Sequence, residues 1–228
     1  MSGIDEVWRE ADGALVRCLE LAHESFRAGG LPVGSVIVAG NGERISEGRN
    51  RAYDRAGGTD RLQRTPIAHA EMNALAAVGT GTELGAVKLW SSHRPCAMCA
   101  AACTFTGVGS VRFIAPDPSD DDSHDDPRGI EPEWAVVANL LFLSGIAAYL
   151  GPSAPMITRA RQREPEIVEL MQVAGDAELR QAALRDALGP FWPQIQDAAR
   201  ERRKRSRCVL PAARSMTLRP TGSSCELG

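Results

Sequence analysis

Aromatic residues are scarce: five phenylalanines, four tryptophans and two tyrosines among 228 residues. Few side chains are therefore available for stacking, and each is worth locating. Charge of one sign is lacking too. Twenty-six Lys and Arg stand against 29 Asp and Glu, a formal net charge of −3, so no global positive field draws the chain to nucleic acid or anionic lipid. No uninterrupted run of about 18 apolar residues is present, which argues against a membrane span. The first residues, MSGIDEVWREADG, are polar and acidic and lack the pattern of a secretory leader. The six cysteines, Cys18, Cys96, Cys99, Cys103, Cys208 and Cys225, form no regular framework. Cytoplasmic thiols, some of them on a metal, are the expectation. No internal repeat is visible. The rest is ordinary globular composition, 43% hydrophobic and 24% charged.

Periodicity gives an α/β order. Val7, Trp8, Ala11, Leu15, Cys18, Leu19, Ala22 and Phe26 recur at helical steps, predicting one helix over about 5–28. Residues 33–39 predict a buried strand, Asn41-Gly42 a hairpin turn, and residues 43–50 the returning strand. Residues 51–66 are expected to form a loop. A helix over 67–78, a strand over 87–91, a helix over 96–106 and a strand over 108–115 follow. Residues 117–129 hold six aspartates and predict a solvated loop. Further helices are expected over 134–150, 165–174, 176–188 and 191–207, before a loose tail.

Chemistry concentrates at two places. Pro95-Cys96-Ala97-Met98-Cys99 puts two thiols at i and i+3, on one face at a helix start. The exposed N–H groups and the dipole there favour thiolates. His69-Ala70-Glu71 supplies a nitrogen ligand and a carboxylate at another helix start. His69, Cys96 and Cys99 are the ligand set of a catalytic zinc with an open fourth position. Glu71 is the candidate to move protons beside that zinc. A structural zinc is the rival reading, with its fourth ligand drawn from Cys103, His93, His124 or His23.

The pattern H-x-E…P-C-x-x-C is the zinc deaminase signature. With Pro32-Val33-Gly34-Ser35-Val36-Ile37-Val38, Gly48-Arg49-Asn50, His69 to Leu75 and Pro95 to Ala100 in order, residues 5–115 resemble the cytidine deaminase superfamily. The resemblance is strongest to the branch with tRNA adenosine deaminases, guanine deaminases and fungal-type cytosine deaminases. It implies a three-layer α/β/α sandwich with a mixed sheet, to which the sequence adds a helical C-terminal extension. It implies hydrolytic deamination at an amidine-like ring carbon with release of ammonia, and commonly a homodimer. Asn50 matches a position where relatives hydrogen-bond the base. Residues 1–130 are then the catalytic domain, 131–207 the helical extension and 208–228 a flexible tail. Two departures stand out. Ser92-His93-Arg94 replaces the usual Thr-x-Glu before Pro95, and the C-terminal half lies outside the resemblance.

The non-basic chain favours a small nucleobase or nucleoside substrate. A tRNA adenosine deaminase is the alternative, for which Arg49, Arg51, Arg55, Arg61, Arg64 and Arg200 to Arg207 are the candidate phosphate contacts. A non-catalytic zinc-stabilised module is the third reading. Candidate substrate contacts are Asn50, His93, Arg94 and Asp117, with Phe105, Trp134, Phe142 and Trp192 as stacking candidates.

Overall fold

The computed structural model describes residues 3–54, 60–118, 127 and 129–209. Its helices are α1 (Ile4–Glu10), α2 (Gly13–Arg27), α3 (Ala70–Ala76), α4 (Ala97–Thr106), α5 (Pro132–Leu150), α6 (Pro155–Arg163), α7 (Pro165–Ala174), α8 (Asp176–Gln181), α9 (Leu184–Leu188) and α10 (Trp192–Val209). Its strands are β1 (Gly34–Val38), β2 (Arg44–Arg49), β3 (Lys88–His93) and β4 (Ser110–Ala115). The sheet order is β2-β1-β3-β4. β1 pairs antiparallel with both β2 and β3, and β3 pairs parallel with β4. A mixed sheet results.

Alternation along the strands makes three layers. Val36 and Val38 of β1, Trp90 of β3 and Ile114 of β4 face a large apolar cluster formed with α2 and α5. Ile37 and Leu89 point the other way, to a small cluster with Ala74 of α3 and Cys103 of α4. All five residues of β1 are buried, as expected for a central strand covered on both faces. The expected α/β/α sandwich is therefore present, with helices continuing after it.

Helix α5 is apolar all round, and every residue from Trp134 to Ile146 is buried. A helix without a polar face must be enclosed. Among the described helices it alone is long and apolar enough to cross a membrane, but 72% of its apolar window is buried within the protein. It packs on α2, β4, α7 and α10. The large cluster runs without a break from Leu15 to Ala199.

Several boundaries differ from expectation. The single helix expected over 5–28 is two. Asp12 caps α2, its carboxylate accepting the Ala14 N–H at 2.8 Å, and a capping aspartate starts a new helix instead of continuing the old one. The helix expected over 176–188 also divides, into α8 and α9. Helix α6 was not anticipated, although Pro155 stands at its first turn, where proline is pre-organised for a helix. Strand β3 extends two residues past expectation and carries His93 into the interior. The aspartate-rich run 119–126, Arg55 and the tail beyond 209 lie outside the described residues.

Candidate active site

Two helix starts meet at one end of the sheet. His69 is the N-cap residue of α3 and Cys96 that of α4, both with extended backbone. Asn73 donates through Nδ2 to the carbonyls of Arg49 and Ala68, at 2.8 and 3.2 Å. It thereby ties the end of β2 to the approach to α3. Gly48 makes this contact possible, because a Cβ there would lie 2.5 Å from the Ala70 carbonyl and the Ala74 nitrogen. The Arg94 N–H donates to the Ala115 carbonyl at 2.9 Å, anchoring the approach to α4 on β4.

His69 Nδ1 lies 3.6 Å from both the Cys96 and Cys99 Sγ atoms. All three atoms fall within 4.8 Å of one another. A tetrahedral zinc with ordinary Zn–N and Zn–S bonds needs an N···S edge of about 3.6 Å, so the donor set fits that ion in both chemistry and spacing. Burial pushes the Cys99 thiol up, and the Glu71 carboxylate and Cys96 push it further. A dication would reverse that preference and hold it as thiolate. Among the described residues no fourth ligand joins the group. Cys103 sits in the small apolar cluster, its thiol raised to about 11 mainly by burial. His23 Nε2 is bonded to the Leu179 carbonyl at 2.6 Å. His124 lies outside the described residues.

Glu71 is buried in the first turn of α3. The Ser91 hydroxyl donates to its Oε1 at 2.7 Å. The carboxylate opens on a cavity of about 340 Å³, within the size range of small-molecule sites. His69, Cys96, Asn50, His93, Arg94 and Asp117 line the same cavity. Asn50 is buried, with Oδ1 accepting the Ala52 N–H at 3.1 Å. His93 is also buried, and desolvation pushes its imidazole down to about 4 against the opposing effects of Asp117 and Asn139.

Three of the four expected stacking residues are elsewhere. Phe105 is 92% exposed on α4 and does not line the cavity. Trp134 is in the core, 5.6 Å from Trp8 and 6.1 Å from Trp192 by ring centroids. Trp192 is a core residue for the same reason. Phe142 does line the cavity and packs on the His93 ring at 4.8 Å. The rest of the apolar wall was not anticipated: Ile146, Tyr149 and Leu150 of α5, with Met156 of α6. Tyr53 and Tyr149 meet at 4.9 Å beside it, both partly exposed. Tyr53 follows Asn50 closely, the one local signal that could have flagged it. The C-terminal residues carry no local signal, because tertiary packing alone brings them here.

Residues 9–115 match the family model of the cytidine and deoxycytidylate deaminase zinc-binding region. The chain belongs to the cytidine deaminase superfamily. It is similar to a tRNA(Ile)-lysidine synthase of Deinococcus radiodurans, with 32% identity over 46% of this chain and 17% of that one. It is similar to a cytosine deaminase of Candida albicans, with 29% identity over 41% of this chain and 58% of that one. It thus spans less than two thirds of either relative. Among solved structures it is similar to the guanine deaminase of Bacillus subtilis, with 30% identity, 50% of this chain and 69% of that one covered, and a TM-score of 0.40. The superfamily comprises deaminases, and the His69–Cys96–Cys99 group lies within the zinc-binding region that the family model defines.

Proposed function

We propose that the protein is a zinc-dependent hydrolase that deaminates a small amino-heterocycle, a free nucleobase or nucleoside of cytosine or aminopurine type. One observation carries this reading: Glu71, His69 and Cys96 line one cavity of single-heterocycle size, with Cys99 buried behind them completing the ligand group. Held by His69 Nδ1 and the two Sγ atoms, zinc would supply a Lewis acid that lowers the pKa of a water from about 16 toward about 7. The chain's own residues do the rest. Ser91 occupies Glu71 Oε1, so Oε2 is the oxygen that takes the proton from the attacking water. Glu71 then returns protons to the ring nitrogen and to the departing amine. Water adds to the amino-bearing carbon, ammonia leaves, and a carbonyl remains. Asn50, Arg94 and Asp117 hold the polar edges of the ring. Phe142, Ile146 and Leu150 exclude bulk water from it.

Ion pairing supports a small substrate over tRNA. Arg49 and Arg51 bind Asp54 and Asp60. Along α10, Arg202, Arg203, Lys204 and Arg205 pair with Glu164, Glu131, Glu201 and Glu166. Cations already paired release fewer counterions on meeting a phosphate backbone. The three-ligand group speaks against a purely structural zinc. A cytoplasmic homodimer belongs to the same proposal, and the free thiols Cys18, Cys96, Cys99 and Cys103 suit a reducing compartment.

The test is ammonia release by zinc-loaded protein across cytosine, guanine, adenine and their nucleosides, with wobble inosine scored in tRNA in parallel. Release from a free base or nucleoside is expected. Glu71→Gln should lose about 10³-fold or more in kcat with zinc still bound. Turnover that survives this substitution removes the assigned role, and inosine formation without release from any small substrate replaces the reading with the tRNA one.

A further inference from the structure

The cavity has an inner and an outer end, and fractional exposure separates them. Glu71, at 3%, stands at the inner end beside the metal-ligand group. Tyr53 and Tyr149, at 46% and 61%, line the same cavity where it meets solvent. They come from different walls. Tyr53 lies just past the end of β2, and Tyr149 is in the last turn of α5. Their rings touch, with centroids 4.9 Å apart and planes inclined at 52°. Aromatic pairs at this distance attract beyond the area that they bury. The two rings thus form a bar at the outer end of the cavity.

Both ends of the bar are anchored. Next to Tyr53, the Asp54 carboxylate is buried, its side chain only 5% exposed. It accepts two N–H groups of Arg49 at 2.7 and 2.8 Å and the Gln63 amide at 2.9 Å. Arg51 donates to Asp60 and Gln63 at 2.8 and 2.9 Å, and its backbone N–H donates to the Ala68 carbonyl at 2.9 Å. Residues 50–54 are therefore tied to the end of β2 on one side and to the approach to His69 on the other. Removing one partner of a buried ion pair is costly, so this strap holds its shape. Behind Tyr149, α5 is buried from Trp134 to Ile146. The helix cannot swing away without opening the core.

Substrate geometry gives the bar its consequence. The amino-bearing carbon must face Glu71. In cytosine, the nitrogen that carries the sugar of the nucleoside lies across the ring from that carbon. In adenine it belongs to the five-membered ring, away from the amino group. A sugar is thus directed to the outer end, against the tyrosine pair. A free base leaves the rings in contact, whereas a nucleoside must part them. We propose that the Tyr53–Tyr149 bar selects the free base over its nucleoside, with Asp54 as the positioning residue that holds Tyr53 in place. The ligand class rests on the deaminase reading; the bar and its anchoring do not. Discrimination of this kind comes from obstructing the larger competitor, not from added contacts to the smaller one.

Ammonia release by zinc-loaded protein gives the ratio of kcat/KM for cytosine over cytidine and for adenine over adenosine. The base should be favoured about tenfold or more. Tyr53→Ala and Tyr149→Ala should each cut that ratio about tenfold, while Tyr149→Phe, which keeps the ring, should hold it. Asp54→Asn should cut it about threefold. A loss of stability alone lowers turnover of both substrates together and leaves their ratio where it was, so the ratio separates positioning from a merely structural role. Nuclear Overhauser contacts between the two tyrosine rings should be present in the native protein and weaken in Asp54→Asn. Calorimetry with Glu71→Gln protein removes the need for turnover: cytosine should bind about tenfold more tightly than cytidine, and Tyr149→Ala should narrow the gap. That preference in a protein that releases no ammonia from any heterocycle sinks the deaminase reading and leaves the bar. Ammonia released from cytidine as readily as from cytosine overturns the bar and leaves the deaminase reading. A ratio unchanged in folded Tyr53→Ala and Tyr149→Ala overturns it too, and binding of neither bases nor nucleosides overturns both.

Discussion

The two walls of the cavity are built by different physics. The wall from α3 and α4 is polar, and its functional groups lie at helix starts within short motifs. The wall from α5 and α6 is mostly apolar, and its residues come from a segment outside the family match. Short-range geometry is enough for the first: i, i+3 spacing brings Cys96 and Cys99 together, and a helix start offers N–H groups to thiolates. The second depends on α5 crossing the sheet beside α2, which only the assembled core dictates. The chemistry is thus local in the chain, while the shape of the pocket is not. The same helix that shapes it also packs the Phe142 ring on the His93 imidazole.

The largest test of this contrast removes a group from the polar wall. Cys96→Ser should lower zinc content well below one per chain and cut deaminase activity about 10³-fold or more, since metal-based charge stabilisation is worth several kcal/mol. Metal analysis beside ammonia release checks both halves. Fold stability should change far less than activity. Full zinc retention would mean that His69 and Cys99 find another partner.

How far each wall could be read in the sequence follows from this difference. The strand β1 was legible because a strand covered on both faces must be apolar throughout, and Gly34 to Val38 is. His69, Glu71, Cys96 and Cys99 were legible because their spacing has chemical meaning by itself. Trp134 and Phe105 were misplaced because nothing local distinguishes a stacking aromatic from a core one or an exposed one. Trp134 is claimed by Trp8 and Trp192, while Phe105 falls on the outer face of α4. Tyr149 and Met156 were missed because they are about 50 residues or more from the nearer of the two motifs that they serve. His93 was singled out by its nearness to Cys96, but its burial required knowing that β3 runs on to include it.

A second test lies where the walls meet. His93 is held near pKa 4 in the folded protein by burial, against about 6.5 when unfolded. Below pH 6.5 the unfolded chain binds a proton that the folded one resists. Stability from this group is therefore complete above about pH 6.5 and is lost as pH falls toward about 4. The full loss is on the order of 3 kcal/mol. Denaturant midpoints between pH 7 and pH 4 should fall with that slope, and His93→Gln should flatten this part of the curve. An unchanged slope would show that other groups dominate it.

The third test acts on the apolar wall alone. Gly145 faces Pro32 so closely that a Cβ there would lie 2.4 Å from the ring Cδ. Gly145→Ala forces α5 outward. Overpacking of this kind costs about 1–3 kcal/mol, offset in part by up to about 1 kcal/mol of gained helix propensity. A net loss of about 1–2 kcal/mol is expected in urea denaturation. Because the displaced helix carries Phe142 and Ile146, KM should rise more than kcat falls. The opposite split would mean that α5 supports the proton-transfer geometry and not only the pocket.

The smallest effect is expected at Phe105, and that smallness is informative. At 92% exposure its ring gives up almost no water on folding, so its removal forfeits almost none of the roughly 25 cal/mol per Å² that buried apolar area contributes. Phe105→Ala should stay within about 0.5 kcal/mol in stability and within about twofold in KM. Trp134→Ala, in contact with two other tryptophans, should cost about 3–5 kcal/mol. Both rings were candidates for the same stacking role, and the structure separates them by burial alone. If Phe105→Ala nevertheless lowers stability in a way that depends on protein concentration, the exposed face of α4 is covered by a second copy of the chain. The contrast between the two cavity walls would then need a third surface.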